Sequence, residues 1–182
     1  SSNSKEGNFK IIFKNDNKEL SYMYNLKNKR EFQYQNEGFD SSDVVYLITP
    51  DRFVNGDKKN DIIRNMRENS IDRSDGYARH GGDIKGISEN LDYIDNMGFT
   101  SLWLNPVLIN DMKDGSYHGY ATTDYYTVDP RFGTFKEYLE LSEKAVEKNI
   151  KLIKDIIVNH CGLYHWWMDD LPFNDWSVSY TH

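Results

Sequence analysis

Three short apolar runs, beginning near residues 44, 99 and 152, constrain this chain more than any other feature of it. Val44-Val45-Tyr46-Leu47-Ile48 is continuous and rich in β-branched residues, as a strand buried on both faces requires. Phe99 to Leu104 repeats the pattern and is closed by Asn105-Pro106, and Leu152 to Val158 supplies a third such strand. Between the first two, Ile84, Ile87, Leu91 and Ile94 recur at spacings of 3, 4 and 3, one face of a helix that Gly98 ends. Between the second and third, Thr134 and Glu137 form a capping-box pair that opens another helix. Its apolar positions are Phe135, Tyr138, Leu139, Ala145 and Val146. The order βαβαβ predicts parallel strands joined by right-handed crossovers. Long polar loops follow the C-terminal ends of the first two strands, while the returns from helix to strand are short. That asymmetry fits a (β/α)8 barrel. A doubly wound sheet has the same element order, and periodicity does not choose between them.

Upstream the pattern is different. Phe9, Ile11 and Phe13 alternate, Asn15-Asp16-Asn17 is a turn cluster, and Leu20, Tyr22, Tyr24 and Leu26 alternate again. Two period-2 runs around a polar turn predict a β-hairpin. A lone hairpin is marginally stable, so residues 1–35 are expected to be the end of a larger β-module. Residues 36–43, with Gly38 and two serines, read as a linker, and residues 44–182 as the start of the α/β domain. The balance of 22 basic against 29 acidic side chains gives a net charge of −7, the wrong sign for a nucleic-acid binder. No run approaches the ~18 consecutive apolar residues of a bilayer span, and no charged-then-apolar leader opens the sequence. A single cysteine, Cys161, excludes an internal disulfide framework and a multi-thiolate zinc site, and leaves both cytosol and periplasm open. Aromatic content of 14%, including 13 Tyr and 4 Trp, suits flat apolar faces such as sugar rings as well as it suits ordinary packing.

Four segments carry possible chemistry. In the loop from Asp51 to Asp61, Asn55, Asp57, Asn60 and Asp61 offer oxygen ligands, and a hard cation such as calcium takes 6–8 of them. The spacing is not that of an EF-hand, and a solvated polar loop accounts for it too. Asp83, after Gly81-Gly82, stands where a helix begins, as an N-terminal capping acid would. The same carboxylate can turn back toward the cation of the first loop. Asp155 falls inside an apolar run, which is costly for a carboxylate unless it is paired. Period 2 puts Asp155, Ile157 and Asn159 on one face, with His160 at the strand end where barrel active sites lie. A satisfied buried Asp is the competing account. Finally, His118 and Tyr120 flank Gly119; a Tyr ring stacks on a pyranose face and a His bonds sugar hydroxyls.

Several segments recur together in a fixed order. They are Asp51-Arg52-Phe53-Val54-Asn55-Gly56-Asp57, His80-Gly81-Gly82-Asp83, and Leu102-Trp103-Leu104-Asn105-Pro106-Val107. Tyr117-His118-Gly119-Tyr120-Ala121 follows, then Thr123-Asp124-Tyr125-Tyr126, Asp129-Pro130-Arg131-Phe132-Gly133, Asp155 to His160, and His165-Trp166-Trp167-Met168. In this order they resemble the α-amylase family of glycoside hydrolases, most closely its neopullulanase and cyclomaltodextrinase branch, over about residues 40–176. The resemblance implies a partial TIM (β/α)8 barrel holding the first three strands, preceded by a hairpin remnant of a β-sandwich module. It implies that His118, Tyr120 and His160 line the subsite of the glucose to be cleaved, with Tyr120 stacked on its ring. Asp155 becomes a supporting acid, and Asn159 orients the neighbouring His. Asn55, Asp57, Asn60, Asp61, Asp83 and the carbonyl of Gly81 would hold a structural calcium ion.

The implied activity is retaining hydrolysis of α-1,4-glucosidic bonds in starch-derived glucans, with an α-glucan oligosaccharide as the partner and a homodimer formed through the N-terminal module. Retention needs two carboxylates ~5–5.5 Å apart, which the family takes from later strands. The acids after His160 are Asp169, Asp170 and Asp175, none in a matching motif. The isolated chain is therefore expected to be inactive, and its first and third strands to carry exposed edges. A non-catalytic glucan- or calcium-binding module and a glucosyl-transferring relative are the alternatives.

Overall fold

A computed structural model describes residues 5–27 and 38–171. The chain divides into two units, 1–37 and 38–182. In the first, β1 (Gly7–Asn15) pairs with β2 (Lys18–Leu26) in an antiparallel hairpin. Asn15 Oδ1 accepts from the amide of Asp16 at 2.7 Å and tightens the turn. The register sets Phe9 opposite Tyr24, Ile11 opposite Tyr22 and Phe13 opposite Leu20, so one face of the ladder is apolar. Residues 28–35 of the expected module, and 36–37 of the expected linker, lie outside the described residues.

The second unit is built on a parallel sheet of order β3 (Val45–Ile48), β4 (Ser101–Leu104) and β7 (Lys151–Lys154). Helices α1 (Ile84–Glu89) and α2 (Leu91–Asn96) connect the first two strands. The return from β4 holds a small antiparallel pair, β5 (Leu108–Ile109) and β6 (Asp124–Val128), and then α3 (Phe135–Glu147). Alternation divides the sheet into two faces. Ile48, Leu102 and Leu104 are buried with Ile84, Ile87, Leu91 and Ile94 from the first crossover and with Leu141 and Ala145 from the second. Each leucine and isoleucine among them contributes about 1.5–3 kcal/mol by leaving water. Val45, Leu47 and Trp103 point to the opposite face and remain exposed. Among the described residues, no helix is long and apolar enough to cross a membrane.

Four expectations need correction. The single helix from Ile84 onward is two short ones meeting at Asn90, whose side chain donates to the carbonyl of Gly86 at 2.7 Å. The four isoleucine and leucine positions nevertheless share one buried face. In α3 the capping box of Thr134 and Glu137 is present, but the buried stripe runs through Leu141 and Ala145, while Phe135, Leu139 and Val146 are exposed. The third strand ends at Lys154, not Val158. Its register pairs Lys154 with Leu104, so the next positions would face Asn105 and Pro106, and a proline has no N–H for the ladder. Asp155 and Asn159 are therefore loop residues, and Asp155 is only half-buried.

The last correction concerns Asp43, the end of the expected linker, which is an anchor. It accepts from Lys151 Nζ and from Thr100 Oγ1, each at 2.8 Å, and so ties the starts of all three parallel strands together. The hydrogen bond from Lys151 leads the causes that lower its pKa from 3.8 to about 2, with further bonds from the backbone of Asp40 and from Thr100. A depressed carboxylate pKa stabilises the fold fully above the unfolded value and loses that stability as pH falls through the folded one. Acid unfolding of wild-type chain should therefore steepen from 3.8 down to about 2, and Asp43→Asn should flatten that limb. Identical acid limbs in urea titrations of the two proteins would remove Asp43 from this role.

Candidate functional site

The loop after β3 does most of the positioning. Asp83 caps α1, its carboxylate accepting from the amide of Gly86 at 2.6 Å. The same carboxylate accepts from the amides of Gly56 at 3.1 Å and Asp57 at 2.7 Å and from Asn60 Nδ2 at 3.3 Å, which folds the loop back onto the helix. Asn55 Nδ2 donates to Asp61 Oδ1 at 2.6 Å. Gly81 takes a left-handed φ of 86°, and a Cβ there would stand 2.6 Å from Asp61 Oδ1 and 2.8 Å from Asn55 Nδ2. Asn55, Asp57, Asn60, Asp61, Gly81 and Asp83 thus converge as one cluster. The amide oxygens of Asn55 and Asn60 are buried in it without a hydrogen-bond donor. A buried acceptor left unpaired is costly, and a hard cation is a species that would satisfy it. No group of three or more His, Cys, Asp or Glu side chains is arranged to hold a metal among the described residues. The unsatisfied oxygens of the cluster are those of its two asparagine amides.

Below this loop lies a buried charged network. Arg131 grips Asp129 with two bonds, Nε to Oδ1 at 2.9 Å and Nη2 to Oδ2 at 2.7 Å, both side chains fully buried. Burial opposes ionisation of Asp129, and the Arg131 guanidinium overcomes it, holding the carboxyl below its usual range. Arg79 lies over the Phe132 ring at 4.8 Å and faces Asp51 Oδ1 at 3.5 Å. Asp51 accepts from the amides of His80 and Gly81 at 2.8 and 3.2 Å.

The proposed sugar residues meet just past the C-terminal ends of β4 and β7. The turn Ser116–His118 is bracketed by Gly115 and Gly119 at left-handed φ of 67° and 79°. The rings of His118 and Tyr120 lie 5.8 Å apart and near-parallel at 24°, and the amide of Tyr120 donates to His118 Nδ1 at 2.9 Å. The Tyr120 hydroxyl donates to Asp155 Oδ2 at 2.9 Å. Burial, reinforced by that bond, raises the pKa of the phenol. His160 Nε2 lies 2.9 Å from the carbonyl of Tyr120, and Asn159 Nδ2 lies 3.3 Å from His160 Nδ1. All four residues named from sequence therefore share one open rim: a ring for stacking, two imidazoles and a carboxylate. Such a set has the chemistry to hold a polyol with a flat apolar face.

Sequence reading missed three contributors. Trp103 donates its indole N–H to Asp155 Oδ2 at 3.1 Å, placing a second aromatic beside the carboxylate. Its exposed position on an alternating strand was the available signal. The Tyr125 hydroxyl donates to the carbonyl of His160 at 2.6 Å, and its ring lies against buried His165 and against Trp167. Glu68 accepts from the amide of Ser116 at 2.7 Å, and nothing in its local sequence marks it.

Burial holds the His118 imidazole below its usual 6.5, against the opposing pull of Glu68. The unfolded chain then binds the proton more readily, so the stability this neutral ring contributes is full above 6.5 and lost as pH falls below it. An NMR titration of His118 should give a midpoint under 6.5; one at or above that value would place the ring in open water.

Comparison with known proteins bears on this rim. A family model, the alpha amylase catalytic domain, matches residues 47–176. The beta/alpha-amylase of Paenibacillus polymyxa is 45% identical over 122 residues, covering 67% of this chain and 10% of that protein. A cyclomaltodextrinase of Thermoanaerobacter pseudethanolicus is 36% identical over 137 residues, covering 75% of this chain and 23% of the relative. Among solved structures, the α-amylase of Geobacillus thermoleovorans complexed with acarbose aligns at TM-score 0.57 and 39% identity, over 71% of this chain and 26% of that one. The chain thus spans about a quarter or less of the length of each relative. The three parallel strands are part of a TIM barrel rather than of a doubly wound sheet, and the chain belongs to the α-amylase family of glycoside hydrolases.

Proposed function

We propose that this chain supplies the glucose-orienting rim of an enzyme that hydrolyses α-1,4-glucosidic bonds in starch-derived oligosaccharides with retention of configuration. The observation that carries this reading is the shared rim: the Tyr120 ring, with His118 near-parallel beside it, backed by His160 and Asp155. A relative of similar fold is complexed with acarbose, which supports an oligosaccharide as the ligand. In this reading Tyr120 stacks on the ring of the glucose to be cleaved, and the bond to Asp155 fixes its tilt. His118 and His160 bond to hydroxyls. Asp155 acts by holding Tyr120 and Trp103. Bond cleavage requires a nucleophile and an acid/base carboxylate, to which no residue of this chain is assigned. Orientation of this kind raises rate by presenting the substrate in a reactive pose.

Tyr120→Ala in the full-length protein should lower kcat/KM on maltooligosaccharides by about 10–100-fold, the equivalent of the ~1–3 kcal/mol that aromatic stacking of a planar base contributes. Steady-state kinetics indistinguishable from wild type would refute the placement of the sugar.

The first loop is proposed to hold a structural calcium ion, with Asn55, Asp57, Asn60, Asp61, Asp83 and the Gly81 carbonyl as its donors. Two features favour it: the unpaired buried amide oxygens of Asn55 and Asn60, and the close approach that only glycine permits at residue 81. The ion supplies cross-linking charge when bound, and Asp83 couples it to the start of α1 through the bond to Gly86. A cation bound only by the native state raises stability by mass action. Melting of the full-length protein should therefore rise in calcium relative to chelator, by several degrees, and Asp57→Ala should abolish the difference. A melting curve indifferent to both additions would exclude the ion.

A further inference from the structure

We infer that Glu68 is a positioning residue for the sugar-contacting turn, acting on His118 and Tyr120 through Ser116. The inference deepens the reading of the rim above and rests on it. Ser116 is fully buried, and each of its polar groups is held by a different side chain. Its amide donates to Glu68 Oε2 at 2.7 Å, its carbonyl accepts from Asn110 Nδ2 at 3.0 Å, and its hydroxyl accepts from Arg79 Nη1 at 3.3 Å. Glu68 is itself tied in place, because its carbonyl accepts from Arg131 Nη1 at 3.0 Å. Arg131 Nη2 also donates to the carbonyl of Asn110 at 2.9 Å, so one guanidinium holds two of the three clasping residues.

From this clasp to the sugar there is little slack. The chain makes one tight turn, Ser116–His118, between two glycines in the left-handed region. A Cβ on Gly119 would collide with the carbonyl of Pro106, so the turn is pressed against the start of the loop after β4. The carbonyl of His118 accepts from Asn105 Nδ2 at 3.4 Å, and the amide of Tyr120 bonds to His118 Nδ1. A displacement of Ser116 is therefore passed to both rings.

Glu68 puts a carboxyl oxygen directly on the backbone of the turn, and it comes from the long loop after β3. Its carboxylate is 8% exposed as a residue, so truncating it leaves a buried amide unpaired. The turn must then move to recover a partner. Misplacement of positioned groups by about 1 Å costs up to about 100-fold in rate.

The test uses the full-length protein, with kcat, KM and Tm measured for Glu68→Ala, Glu68→Gln, Tyr120→Ala and the Glu68→Ala/Tyr120→Ala double variant on maltooligosaccharides. Glu68→Ala should lower kcat/KM by about 10–100-fold. Glu68→Gln, which keeps an oxygen acceptor for the Ser116 amide, should restore most of it. In the Tyr120→Ala background the same Glu68→Ala change should cost clearly less, because one of the two rings that it aims is gone. A purely structural Glu68 would lower Tm yet leave kcat/KM of the folded enzyme unchanged, or would cost the same in both backgrounds; either result overturns the inference. If Tyr120→Ala alone is silent, the sugar placement fails and this proposal with it. If Tyr120→Ala is costly and Glu68→Ala is not, only the clasp fails. Should Glu68→Ala not fold, Glu68→Asp, one methylene shorter, carries the same comparison.

Discussion

The bidentate grip of Arg131 on Asp129 is the interaction on which the candidate site most depends. Two opposite charges taken fully out of water are costly unless their geometry is good and their remaining donors are used. Here they are used: Arg131 also donates to the carbonyls of Glu68 and Asn110, and Asp129 accepts from the amides of Arg131 and Asn110. The pair therefore gathers the loop after β3, the β5–β6 hairpin and the segment before α3 at one point. Arg79, Asp51 and Glu68 extend the same network, and all of them are buried. Irregular backbone carries many polar groups that a hydrophobic core cannot satisfy. A network of fixed charges is a way to bury loops of this length near a site that needs rigidity.

The rim, from the loops after β4 and β7, and the proposed cation cluster, from the loop after β3, both rest on this network. Asp51 holds the amides of His80 and Gly81 from below, and Gly81 lies against Asn55 and Asp61 above. Arg52 adds a lateral link, its guanidinium lying 3.9 Å over the Tyr117 ring in the Ser116–His118 turn. Asp51 and Arg52 thus lie between the proposed cation cluster and the turn that carries His118, and they touch neither ligand in the proposed reading. This link is made of fixed hydrogen bonds and a cation–π contact rather than of the sheet, whose strands contribute only four residues each.

What could be read from sequence was what periodicity and spacing encode. The three strands, the buried face of Ile84, Ile87, Leu91 and Ile94, the capping box at Thr134 and the hairpin ladder all follow from local pattern. The errors have physical causes. Ile156, Ile157 and Val158 look like a continuing strand, but their ladder partner would have been a proline-bearing segment. Along α3 two apolar stripes compete, and only tertiary contact selects the one through Leu141 and Ala145 over Phe135, Leu139 and Val146. The rim residues His118, Tyr120, Asp155 and His160 were legible because each sat in an ordered motif. Trp103 and Tyr125 stood in motifs of the same kind, but their bonds to partners 52 and 35 positions away leave no local signal, and Glu68, 48 positions from Ser116, stood in none.

The same separation explains how the rim divides its work. Tyr120 presents a flat face, and its hydroxyl is spent on Asp155 rather than on a ligand. Trp103 donates to that same carboxylate oxygen, so one acceptor orients two aromatic side chains from different strands and loops. A carboxylate used in this way has to reach both donors, and it has to stay partly exposed to avoid the cost of burial without a counter-ion. Both conditions are met by ending β7 at Lys154 and letting Asp155 turn into the loop. Had the strand run on to Val158, as its apolar residues suggest, pleating alone would set the direction of Asp155 and it would need a buried partner. The early end of β7 is thus part of how the rim is made.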